Sequence, residues 1–158
     1  MTARRRLAAL EAETARRAQV ARRDNRRVML TARSMMPSPM LAALAECSRV
    51  WDDDCAGLAR VVDDLTPPDA GLDLSPSTCP VAAWVAGAAS AFTEDLRLPQ
   101  PPPSAAATLR AQAARWGQLA QDHAGQPLGQ VARWREAHTT MCAVLAEAWH
   151  AAMPRGAK

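Results

Sequence analysis

The chain has no isoleucine and no tyrosine, and only one phenylalanine (Phe92), one asparagine (Asn25) and one lysine (Lys158). All five residue types draw on AT-rich codons, so their joint scarcity points to a GC-rich gene. Arginine in place of lysine is then partly genomic habit, and total positive charge is a safer argument than guanidinium geometry. No stretch alternates polar and apolar residues with period two, so no strand is expected. The seven glycines are scattered and form neither GxGxxG nor GxxxxGK, which excludes a phosphate-cradling loop. The four cysteines (Cys47, Cys55, Cys79, Cys142) include no CxxC pair, and no apolar signal core follows the basic start of the chain. They read as reduced thiols of a cytoplasmic protein, with Cys47 and Cys55 acting as small apolar core residues. Arginine and alanine at the N-terminus suit a mitochondrial presequence, but three acids count against one. The longest weakly polar run, CPVAAWVAGAASAF, is 14 residues long. A bilayer span needs about 20, so this run is a buried helix.

What is present is charge, unevenly placed. Residues 1–33 hold ten arginines against Glu11, Glu13 and Asp24, a net of +7. The remainder holds eight arginines and Lys158 against thirteen acids, a net of −4, with eight of those acids between 46 and 73. This is a basic arm on an acidic body. The bland reading is that the arm folds back and neutralises its own body.

Proline divides the chain. Residues 1–34 form the arm: 2–34 lack proline and glycine, are rich in helix formers, and would make one helix roughly 50 Å long. Leu7, Leu10, Ala21 and Val28 fit an apolar line that Arg17 and Asp24 interrupt, so this helix projects, binds something or frays. SMMPSPM breaks the helix. Ser38 then reads as a cap before Pro39 for a helix over about 39–65. There Leu41, Leu44, Ser48, Trp51, Cys55, Leu58, Val62 and Leu65 step by three and four without a slip, with Asp52, Asp53 and Asp54 mainly outside. TPPDAGLDLSPSTCP reads as a long loop.

Further helices are expected over 80–96, with Val81, Trp84, Val85, Ala88 and Phe92 as the apolar face, and over 104–123, capped by Ser104. PQPPPS between them is a stiff connector. A last helix over 127–153 presents Val131, Trp134, His138, Met141, Leu145 and Ala148. The expected fold is all-α: a four-helix bundle-like domain over 38–154 preceded by the long basic helix.

Candidates for chemistry are weak. Glu147 and His150 make the Glu-x-x-His element of di-iron bundles, but a second such pair is missing. His138 and Cys142 lie one turn apart, yet lack the further ligands of a zinc site and the orienting acid of a Cys–His nucleophile. His138 reads instead as a core histidine. The tryptophans read as core bulk, with Trp149 the one to test for an external contact. No cofactor, no metal and no catalytic residue is expected.

The arm carries the functional expectation. On a helix Arg16, Arg23 and Arg27 share one face, and Arg22 and Arg26 lie about a quarter turn away. With Arg17 they form a broad cationic band suited to a phosphate backbone, and Asn25 is a candidate for touching a base edge. The arm has no aromatic residue for base stacking and too few large apolar residues for a membrane surface. Two expectations follow for a non-enzymatic, oligomeric interaction protein. In one, the band binds nucleic acid. In the other, the protein is an adaptor or assembly component (of secretion, phage or chaperone type) whose arm docks on an acidic protein. A dimer is expected through the arm or the second helix.

Overall fold

The computed structural model describes residues 3–65 and 79–153, with the side chains of 54–59 and 61–65 left aside. Five α-helices account for almost all of the described chain, and it contains no strand. They are α1 (Ala3–Met35), α2 (Ser38–Leu65), α3 (Pro80–Thr93), α4 (Ala105–Asp122) and α5 (Pro127–Ala152). The expected loop over 66–77 and the seam side chains of Cys55, Leu58, Val62 and Leu65 lie outside the described residues.

Helix boundaries follow the prolines more closely than the hydroxyl caps. α2 starts at Ser38, and the Pro37 carbonyl accepts from the N–H groups of Met40 and Leu41, so Ser38 is inside the helix rather than capping it. Pro80 and Pro127 open α3 and α5, where a missing N–H is harmless. Ser104 sits before α4 with helical backbone angles and makes no side-chain cap. The α4–α5 turn needs two glycines. Gly125 has φ +78°, and a Cβ on Gly129 would overlap the His123 carbonyl oxygen.

α5 is the hub of the bundle, packing against α4, α1 and α2. That position explains why Ala143, Val144, Leu145 and Ala146 are all buried in succession: a helix with neighbours on three sides has no solvent stripe there. Small residues let the neighbours approach, and Trp84, Trp116 and Trp134 supply the bulk. The main core joins Val28, Ala32 and Met36 of α1 and its end to Val81, Trp84 and Ala88 of α3, Leu109 of α4, and Val144 and Ala148 of α5.

Several expected core positions are not buried. Trp51 is 50% exposed, and Ser48 is exposed too. α2 instead presents Met40, Ala43, Leu44, Cys47 and Val50 to Val131, Trp134 and Ala137 of α5. Glu46 fixes this rotation, accepting hydrogen bonds from Gln130 Nε2 at 2.7 Å and from Trp134 Nε1 at 3.4 Å. His138 keeps an exposed edge rather than sitting wholly in the core, yet burial of the rest of its ring, followed by the nearby Arg135, lowers its pKa. Phe92, at 38% exposure, lies at the edge of the α3 face rather than within it.

α3 ends at Thr93, short of the expected Leu96, in a Schellman turn. Asp95 takes the left-handed conformation (φ 54°), and the Leu96 N–H reaches back to the Ala91 carbonyl at 3.1 Å. The extended connector that follows is held by side chains. Trp84 Nε1 donates to the Pro99 carbonyl at 3.0 Å and Trp149 Nε1 to that of Leu98 at 3.4 Å. Trp149 is therefore an internal contact, and its ring also meets His150 edge-on.

Candidate nucleic-acid interface

α1 has two halves. From Ala3 to Val20 every residue is exposed except the half-buried Ala18. From Ala21 onward the face made by Ala21, Asn25, Val28 and Ala32 is buried against the rest of the molecule. Its steps of four, three and four residues are the helical repeat of a packed face.

That docking sets the direction of every arginine in the band. With 100° per residue, Arg16 and Arg23 lie about half a turn from the buried face, and Arg26 and Arg27 lie about 130° from it on opposite sides. Arg22 and Arg26 lie toward the end of α3, where both line a small open groove with Leu30 and Phe92. All six arginines of the band, Arg16, Arg17, Arg22, Arg23, Arg26 and Arg27, are exposed. Arg17 pairs with Glu13 at 2.8 Å, Arg22 with Asp95 at 3.3 Å and Arg23 with Asp24 at 3.5 Å. Arg16, Arg26 and Arg27 have no ion-pair partner among the described residues. The paired arginines remain more than half exposed, and an exposed pair is worth about 0–1 kcal/mol, so an incoming anion can displace it. Among the described residues, self-neutralisation of the band is thus limited to one long-range contact, Arg22 to Asp95.

The structure overturns the expectation for Asn25. Its side chain is buried and its amide is engaged internally. Nδ2 donates to the Leu96 carbonyl at 2.7 Å and more weakly to that of Ala91 at 3.5 Å, while Oδ1 accepts from the Leu98 N–H at 2.9 Å. Asn25 satisfies the end of α3 and the start of the connector, and cannot reach a base edge. Nothing in RRDNRR signalled this, since its partners lie some seventy residues away.

Sequence reasoning also missed Arg97. It lines a second open groove with Arg16, Arg17, Glu13 and Glu94, brought to the arm by the turn after α3. The cationic surface therefore borders acids on that side.

The chemical candidates stay unassembled. Glu147 is held by Arg110 through two bonds of 2.7 and 2.8 Å, which keep its carboxyl below the usual range. His150 is exposed beside it, and no cluster of three or more metal-ligating side chains occurs among the described residues. Burial pushes the Cys142 thiol up to about 11, and burial followed by the nearby Glu46 also raises Cys47. Both are protonated and poorly nucleophilic at neutral pH. No described helix is long and apolar enough to cross a membrane. No protein-family model matches the chain, and neither a curated protein nor a solved structure matches it.

Proposed function

We propose that this chain is a non-enzymatic helical interaction protein of the cytoplasm whose α1 arginines bind nucleic acid through phosphate contacts. The observation that carries the reading is the outward face of α1. One side of the helix is anchored by Ala21, Asn25, Val28 and Ala32, and the opposite side offers Arg16, Arg23, Arg26 and Arg27 to solvent. An anchored helix presents these charges without the ordering penalty a loose basic tail would carry. Phosphate contacts position a protein on a duplex without specifying sequence, and with Asn25 occupied the band has no amide to read an adenine edge. Binding is therefore modest and indifferent to sequence.

The test is fluorescence polarisation with arbitrary duplex DNA and RNA across a salt series. If about four arginines reach phosphates, log K falls against log salt with a slope near −3.6 on B-DNA. Replacing Arg22, Arg23, Arg26 and Arg27 with Ala should flatten that slope and leave the helicity unchanged. The adaptor reading draws support from Leu30 and Phe92, exposed beside Arg22 and Arg26, since apolar side chains suit a protein surface better than a phosphate backbone. Wild-type protein that binds no nucleic acid at low salt would favour an acidic protein partner.

A further inference from the structure

The buried face of α1 does not stop where the bundle does. Counting back from Ala21 by helical repeats gives Ala18, Thr14, Leu10, Leu7 and Ala3, all on the same side of the helix. Leu10 is 66% exposed and Leu7 58% exposed, and nothing among the described residues covers them. Two leucines in register with a packed face, both open to solvent, leave that face without a partner.

The charges flanking these leucines are self-complementary. Residues 3–14 read ARRRLAALEAET, with arginines before the leucine pair and glutamates after it. Arg4 and Glu11 lie on one flank of the leucine line, and Arg6 and Glu13 on the other. We infer that residues 3–14 of α1 pair with the same residues of a second copy as a short antiparallel coiled coil about a two-fold axis between Ala8 and Ala9. Leu7 of each copy stacks on Leu10 of the other. Arg4 then faces Glu11 of the second copy and Arg6 faces Glu13, and the two-fold axis repeats each pair, giving four ion pairs. Glu13 uses one carboxylate oxygen for Arg17 of its own helix and keeps the second for Arg6.

Direction follows from the rest of the arm. A parallel pair in register would set Arg16, Arg17, Arg22, Arg23, Arg26 and Arg27 beside their copies. The antiparallel pair carries these blocks to opposite ends. Net charge agrees: residues 3–14 carry three arginines and two glutamates, whereas 15–33 carry seven arginines and one aspartate. The segment beyond the bundle is the nearly neutral one. The contact is about 16 Å long, so the dimer is weak and depends on concentration. It is separable from the phosphate reading, because Arg17 alone of the band touches it, through Glu13, and Arg22, Arg23, Arg26 and Arg27 lie outside it.

Sedimentation equilibrium on the full chain tests this with four variants. Wild type should show a monomer–dimer equilibrium, and Leu7→Ala/Leu10→Ala should be monomeric with its helix intact, since alanine is the best helix former. Arg4→Glu and Glu11→Arg should each weaken the dimer roughly tenfold or more, because symmetry doubles every change. Arg4→Glu/Glu11→Arg in one chain should restore it, because the swapped pair again joins opposite charges. A parallel dimer would not recover, since Glu11→Arg would then set a second cation against Arg6 of the other copy. Wild type that stays monomeric at every accessible concentration would overturn the inference. So would a dimer indifferent to loss of both leucines, or a double charge variant no tighter than the single ones.

Discussion

Replacing Asn25 by Ala tests how the arm is tied to the bundle. The substitution removes the acceptor for the Leu98 N–H at 2.9 Å and the donor to the Leu96 carbonyl at 2.7 Å. The two losses differ. Leu98 is 3% exposed, so its N–H is left buried without a partner, at about 1–3 kcal/mol. Leu96 is 52% exposed, so water can reach its carbonyl, and that loss is about 0.5–1 kcal/mol. The Ala91 carbonyl keeps the Leu96 N–H and adds little. The expected total is roughly 1.5–4 kcal/mol, a large share of the stability of a domain this size. Urea unfolding followed by tryptophan fluorescence measures it. Asn25→Asp sharpens the test. Its carboxylate still accepts from Leu98 but turns an oxygen on the Leu96 carbonyl, which disfavours the charged form and raises the folded-state pKa. A raised carboxyl pKa contributes stability below its unfolded value, near 3.9, which is lost as pH rises through the folded value. The gap between Asn25→Asp and wild type should therefore narrow as pH falls. A cost below about 0.5 kcal/mol for Asn25→Ala, or a gap indifferent to pH, would refute the role given to this side chain.

The exposure difference between two tryptophans makes a second prediction. Trp134→Ala should cost about 3–5 kcal/mol and Trp51→Ala within about 0.5 kcal/mol, read from the same unfolding curves. Glu147 makes the third. Its pKa is depressed by the Arg110 hydrogen bonds, so its contribution is present above the unfolded value and lost as pH falls through the folded one. Because Arg110 is 53% exposed, Glu147→Gln should cost only about 0.5–1 kcal/mol at neutral pH and nothing in acid, as checked by unfolding at both pH values.

Helix propensity, proline sterics and charge are properties of the local chain, so the helical class, the breaks at Pro37, Pro80 and Pro127, and the basic arm could all be read from the residues alone. A three-four spacing shows that a helix has an apolar face, but not how far a partner covers it. Leu41 and Leu44 are packed while Trp51, on the same line, is half exposed, because α2 turns on Glu46 toward Trp134. His138 lies on an unbroken line of α5 yet keeps an edge in solvent, while Ala143, Val144 and Ala146 are buried off that line, because what a central helix buries depends on which neighbours arrive. Asn25 is the sharpest case. Among the charges of RRDNRR it reads as part of a polar ligand-binding surface, and only the turn after α3, brought beside it by folding, makes it a buried hydrogen-bonding residue. The arginine band was legible in the sequence as charge. Which arginines face outward was decided by the face of α1 that the bundle buries.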